Sequence, residues 1–274
     1  MNNILPFFAD IDAAEYHRDA RDGKFLSSHL LADFRKSPRL YQKKMNGEIE
    51  PSESAALALG RALHVLVLEG RARFDEEFLV SDGPVNPKTG EPYGRTTKAF
   101  REWSAAQKKE IVSGPEFSFL SKLRESVWAH PVARDLLSDG VAEQTVRTEY
   151  CGVRCQSRMD WFRADFDGRP VICDLKSAES LVFFEGDALR FGYPAQLSMY
   201  KELLREASGG EVVADCYLIA VEKREPLRCC VWKISDDLLE SCARENERAI
   251  AELRKCRLEN SWPTGTEDLR ILDV

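Results

Sequence analysis

Asp160, Asp174 and Lys176 are the side chains whose types and spacing could do chemistry together in this chain of 274 residues. They lie in two runs that read as strands, VRCQSRMDWFRA and PVICDLKS, in which successive side chains alternate between faces. Arg154, Gln156, Arg158 and Asp160 then share one face of the first run, opposite Val153, Cys155, Ser157, Met159 and Trp161. In the second, Val171, Cys173 and Leu175 form the apolar face and leave Asp174 and Lys176 side by side on the other. With the apolar faces inward, the carboxylates point into a cleft or solvent. A three-residue loop Phe166-Asp167-Gly168, with Gly168 left-handed, sets Asp160 opposite Asp174. A two-residue loop Asp167-Gly168 would pair Asp160 with Leu175 and separate the acids, so this chemistry requires the longer turn.

Two opposed carboxylates repel each other, and a bound divalent cation removes that repulsion. Oxygen ligands suit Mg²⁺, with Mn²⁺ as a substitute. A lysine two residues beyond one ligand can hold an attacking water or stabilise charge on a phosphate being cleaved. The same residues also read as a solvated hairpin face carrying a lysine-aspartate salt bridge, because D-x-K is common by chance.

The elements that must position these residues follow from hydrophobic period. Helices are expected over 28–46 and 53–69, the second ending before Gly70, and over about 96–112 and 116–129 after a polar loop rich in Pro and Gly. From about 141 the period shortens, and VAEQTVRTEY joins the two runs above as three successive strands. A helical stretch over about 180–207 follows, then strands at EVVADCYLIAV and LRCCVWKI, then a helix capped by Ser235 with Asp236 and Asp237 in its first turn. The chain is expected to be one domain, 1–274, with a mainly helical part at 1–139 and an α/β core at 140–274.

Composition narrows the function classes. No apolar run approaches the roughly 18 residues of a membrane span, and the opening residues lack a signal peptide's features, so a cytoplasmic protein without a membrane role is expected. Eight cysteines include no CxxC pair, and several sit in apolar runs, where a free thiol acts as a small hydrophobe. The net charge of −7 does not favour a polyanion ligand, but contact with phosphates needs only a local basic groove. Candidates are Arg35, Lys36, Arg39, Lys43 and Lys44, and then Arg95, Lys98, Arg101, Lys108 and Lys109, interleaved with Phe100 and Trp103. Solvated helix faces look the same.

RMDWF, fourteen residues from Asp160 to Asp174, DLKS and then AQLSMY together resemble the PD-(D/E)XK nuclease superfamily in its RecB-like branch. The last segment is similar to that branch's QxxxY motif, here Gln196 and Tyr200, which are four apart and share one helix face. GRALHVLVLEG resembles the helix that supplies a metal-binding histidine, here His64. Read from its residues alone, the stripe Ala56, Gly60 and His64 equally suits a core histidine packed between helices. FLSSHLLADFRKSPRLYQ and VAEQTVRTEYCGVRCQSRMDWF extend the resemblance over most of the chain to the RecE, or exonuclease VIII, family, without the long N-terminal extension of some members. That match places Glu143 near the metals.

The resemblance implies an α/β restriction-endonuclease-like core, with a mixed central sheet flanked by helices and an N-terminal helical part walling a DNA channel. It implies Mg²⁺ held by Asp160, Asp174, the Leu175 carbonyl and His64, with Lys176 orienting the nucleophile. It also implies 5′-to-3′ digestion of one strand of double-stranded DNA, leaving a 3′ tail for a single-strand annealing protein, by a ring-shaped homo-oligomer. Cys242 and Cys256 do not reproduce the cysteine pattern of relatives that carry an iron–sulfur cluster, so none is expected. Endonucleolytic or 3′-to-5′ cleavage at the same site, and DNA binding with a vestigial site, are alternatives that the residues leave open.

Overall fold

A computed structural model describes residues 5–49, 54–269 and 271. The chain opens with strand β1 (Phe8–Ala9), helix α1 (Ala13–Arg21), strand β2 (Leu26–Ser27) and helices α2 (Ser28–Lys36) and α3 (Pro38–Met45). The single helix expected over 28–46 is two. Pro38 disfavours helical backbone at Ser37, which is extended (φ −168°, ψ 122°) and caps α3 by accepting from the Leu40 N–H at 3.4 Å.

The helix expected over 53–69 begins, among the described residues, as α4 (Ala55–His64), capped by Ser54; Glu53 lies outside them. At His64 it widens into a π-helical turn (Val65–Glu69), and α5 (Gly70–Glu77) follows at once. The helical run ends at Glu69, before Gly70 as expected, and Gly70, at φ 88°, is the joint at which α5 starts. The stretch 96–112 becomes α6 (Lys98–Ala105) and a strand, β4 (Glu110–Val112), which pairs in parallel with β3 (Phe78–Val80). α7 (Gly114–Ala129) has a capping box of Ser113 and Glu116, and α8 (Pro131–Leu137) has no counterpart in the sequence reading.

The expected strand order then appears: β5 (Val141–Tyr150), β6 (Val153–Phe166) and β7 (Arg169–Ala178). Helical segment 180–207 is broken by left-handed Gly192 into α9 (Phe184–Phe191) and α10 (Tyr193–Ala207). β8 (Asp215–Glu222) starts four residues later than its hydrophobic run, and β9 (Cys229–Lys233) and α11 (Asp236–Glu259) complete the chain. Ser235 accepts from the Leu238 N–H at 3.4 Å, as its cap position requires.

The main sheet runs β1-β5-β6-β7-β8-β9, with β2 also paired to β6. It is mixed: β6 is antiparallel to both β5 and β7, while β7 and β8 are parallel and need the α9–α10 crossover between them. One face packs on α2, α10 and α11 through Leu31, Phe34, Leu197, Leu203, Ile250 and Leu253. The other packs on α4, the π turn, α7 and α8 through Leu63, Leu66, Leu120, Leu123 and Leu136. This is the α/β architecture with a mixed central sheet flanked by helices that the sequence led us to expect. The segment 8–27 also contributes to it, because β1 pairs with β5 and β2 with β6. Among the described residues no helix is long and apolar enough to cross a membrane.

Candidate active site

The β6–β7 hairpin differs from the expected turn yet keeps the expected register. Phe166 pairs with Arg169, leaving a two-residue loop of Asp167 and Gly168, both at positive φ (52° and 82°), the conformation of a type I′ turn. An irregularity between Arg163 and Phe166 then shifts the pairing by one, so that Arg163 meets Val171 and Trp161 meets Cys173. The bulge restores what a two-residue loop alone would have lost. Asp160 and Asp174 come next in that register.

β6 supplies the opening. Cys155 and Gln156 pair with β2, and the β7 pairing begins at Trp161, so positions 157–160 have no strand partner on that edge. Strict alternation also fails there. Met159 packs with Cys155 and Phe162 in one core cluster and Trp161 in the other, although a regular strand would put Met159 and Trp161 on one face. On β5 the neighbour is Glu143, at φ 59° and missing from the ladder between Ala142↔Trp161 and Gln144↔Met159. Gln156, expected on a solvated face, is buried and donates to the Tyr16 carbonyl at 2.8 Å, because α1 covers that part of the sheet.

The gap gathers the side chains singled out by sequence. Asp160 Oδ2 accepts from the Leu175 N–H at 2.9 Å and lies 3.4 Å from His64 Nδ1. One ligand atom each from His64, Glu143 and Asp160 falls within 4.8 Å of the others. A backbone hydrogen bond ties His64 to Leu175. Lys176 Nζ stands 2.6 Å from Asp174 Oδ2, and Gln196 Nε2 donates to Asp174 Oδ1 at 3.4 Å and to the Tyr200 hydroxyl at 2.7 Å. Asp174 and Tyr200 are almost fully buried. The sequence reading grouped Asp174 with the metal ligands; here it pairs with Lys176, while Glu143 joins His64 and Asp160.

Electrostatics follow from crowding acids in a desolvated gap. Burial first, and the charge of Asp174 second, raise the Asp160 pKa to about 7. Burial and Asp160 likewise raise Glu143, against the pull of Arg158, which forms an ion pair with it. Burial and the charge of Lys176 lower His64, leaving a neutral imidazole with a free lone pair at neutral pH. Burial works against the Lys176 charge, but Asp174 and Asp160 outweigh it and hold its pKa above the ordinary value.

One imidazole and two carboxylates that resist ionising side by side are a donor set a divalent cation fits. The sequence pattern of the family described as a PDDEXK-like domain of unknown function (DUF3799) matches residues 27–273. The chain belongs to this family. Its mixed sheet, with the acids on adjacent antiparallel strands, is thus the core of a PD-(D/E)XK superfamily member. A solved structure of a candidate exonuclease from Eubacterium rectale is similar to this PDDEXK-like chain with a TM-score of 0.67 and 15% identity, over 97% of this chain and 96% of that one, a likeness of fold. No curated protein matches it.

Several neighbours of the PDDEXK-like site escaped the sequence reading. Arg158 was placed on the right face but given no role, although it pairs with Glu143. Tyr193 lies with its ring 4.8 Å from Lys176 Nζ. His29, at the start of α2, feels the charges of Lys176 and Asp174, and desolvation with the Lys176 charge lowers its pKa. A lone histidine or tyrosine carries no periodic or spacing signal that could have found them. The basic runs fare differently. Arg35 pairs with Glu245 at 2.5 Å, Lys44 with Asp33 at 2.7 Å, Lys98 with Glu102 at 3.6 Å, and Arg95 with Glu116. Phe100 is buried against Trp103, a packing role rather than an exposed aromatic between cations.

Proposed function

We propose that this chain is a Mg²⁺-dependent DNA exonuclease that digests one strand of double-stranded DNA from 5′ to 3′. The carrying observation is the convergence of His64, Glu143 and Asp160 within 4.8 Å, one strand away from the Asp174–Lys176 pair. His64, Glu143, Asp160 and the Leu175 carbonyl would hold the cation, with Asp174 beside them. When bound, a divalent cation supplies Lewis-acid polarisation of the phosphate and lowers the pKa of water.

The chain's own residues then have separable tasks. Lys176, fully charged and fixed by Asp174, orients the attacking water and stabilises charge building on the phosphoryl oxygens. Gln196 and Tyr200 hold Asp174 in place from α10, and Arg158 limits the repulsion between Glu143 and Asp160. His64 stays neutral because burial disfavours its charge, which keeps its lone pair available. Likeness in fold to a candidate exonuclease supports an end-directed rather than internal reaction. In this reading the 3′ tail passes to a single-strand annealing protein during recombination, and the chain works as a ring-shaped homo-oligomer around the duplex.

Duplex DNA labelled at either the 5′ or the 3′ end, incubated with Mg²⁺, with Mn²⁺ or with chelator, tests the proposal. Mononucleotides should be released first from the 5′-labelled strand, only with metal. Early release from the 3′ label would reverse the polarity, internal fragments would make it an endonuclease, and binding without hydrolysis would leave a vestigial site.

A further inference from the structure

We infer that the aromatic strip from Tyr193 to Phe191 is a stacking platform for unpaired bases at the DNA end entering the cleft; this rests on the nuclease reading above and names its substrate as an end with unpaired nucleotides. The strip begins inside the site. The Tyr193 ring lies 4.8 Å from Lys176 Nζ, the Phe191 ring follows at 5.8 Å and 31° from Tyr193, and the Arg190 guanidinium sits 4.5 Å over Phe191. Behind Tyr193, buried Phe184 packs at 6.3 Å and itself packs, tilted by 32°, on Trp232 at 4.6 Å, so the near end of the strip is backed by other aromatic rings.

The far end is open to solvent. Phe191 is 56% exposed and Arg190 69% by side chain, while Val182, Phe183 and Leu189, on or just before the same helix, are 61–71% exposed. Full burial of a large apolar side chain contributes about 1.5–3 kcal/mol, and the fold leaves much of this ungained at the mouth of its cleft. Clustered apolar exposure of this kind marks an interaction site.

Charge decides between occupants. A subunit interface has a core depleted of charged residues, but α9 carries Glu185, Asp187 and Arg190 among its exposed apolar groups, with Arg190 paired to Asp187 through one guanidinium nitrogen at 2.9 Å. A cation resting on an exposed ring, beside a second ring, suits a nucleotide, whose base stacks while its phosphate meets the charge. An unpaired base can lay its whole face on such a ring, which a base stacked inside a duplex cannot. A phosphate held at Lys176 therefore leaves its own base near Tyr193 and the next one near Phe191.

The test uses the full chain, with Ca²⁺ in place of Mg²⁺, and a single-stranded oligonucleotide containing 2-aminopurine near its 5′ end, whose fluorescence falls on stacking. Wild type should quench it. Phe191→Ala should lose the quench and raise Kd roughly 5- to 150-fold, the equivalent of about 1–3 kcal/mol for one stacked base. Phe191→Trp should keep both, with melting curves of all three superimposed. Unchanged quench and affinity in Phe191→Ala would overturn the platform. So would sedimentation showing that Phe191→Ala dissociates an oligomer without altering DNA affinity, since the occupant is then a second copy. Hydrolysis of labelled duplex in Mg²⁺, measured alongside, separates the two readings: a wild type that quenches but never cleaves removes the nuclease proposal and keeps the platform, while one that cleaves without quenching removes the platform alone.

Discussion

Lys176 and Asp160 make opposite demands on the fold, and each gives a measurable consequence. Lys176 keeps its charge through Asp174 at 2.6 Å and is assigned to charge stabilisation rather than to affinity. Lys176→Ala should therefore lower single-turnover cleavage by about 10² to 10³ while DNA binding in Ca²⁺ changes little. Arginine should rescue poorly, because a planar fork replaces a compact ammonium. If the pair were only a surface salt bridge, worth at most about 1 kcal/mol, both variants would cleave within a few-fold of wild type. Asp160 is the strained partner. Its pKa is raised to about 7 against about 3.9 in the unfolded chain, so the folded apo protein binds this proton more tightly. Its contribution to stability is full below the unfolded value and is lost as pH rises through the folded one. Asp160→Asn should accordingly raise the apo Tm at pH 8 by at least about 2–4 °C, the effect of about 1 kcal/mol, and by less at pH 5.5. Melts in chelator check this, and an equal shift at both pH values would contradict it. The proton also competes with metal, so metal affinity should fall as pH drops below about 7.

Helix α4 delivers His64 through an irregular joint, and the joint is held from α7. The π turn frees carbonyls that an α-helix would have used, and Arg124 Nε donates to Leu66 O at 3.2 Å while Trp128 Nε1 donates to Val67 O at 3.2 Å. Trp128→Phe keeps most of the packing but leaves the Val67 carbonyl without its donor, a loss of about 1–3 kcal/mol. Because that carbonyl lies three residues from His64, Mn²⁺ affinity by calorimetry should fall together with stability. A remote core substitution such as Leu253→Ala, at a fully buried residue on the opposite face of the sheet, should lower Tm without altering Mn²⁺ affinity. Parallel losses of metal affinity in both variants would show that the joint has no special tie to the site. The hairpin is the second such element: its bulge between Arg163 and Phe166 sets which side chain stands beside Asp174.

For the whole molecule, acids gathered from β5 and β6 and an imidazole from α4 should make the metal part of the folding equilibrium. Mn²⁺ at 100 times its Kd should stabilise the fold by about 2.7 kcal/mol, or roughly 5–10 °C in Tm, and Asp160→Ala should abolish most of that gain. A wild-type melt indifferent to Mn²⁺ would count against the site. The sequence by itself determined the succession of three strands, helix, two strands and helix, because hydrophobic period is a local property, and its residues and motif resemblance picked out the seven side chains that lie together, from Asp160 and Asp174 to Gln196 and Tyr200. It also determined the cap at Ser235, whose hydrogen bond spans three residues; the break and cap at Ser37 it did not. Only the tertiary structure decided the break in alternation at Glu143 and Asp160, which depends on where β2 stops pairing with β6 and β7 begins. It alone decided that β1 and β2 complete the sheet, that Tyr193 and His29 border Lys176, and that Phe100 is core. Such contacts join residues far apart in the chain, and their energies come from burial and charge shared across elements, which no local pattern of residues encodes.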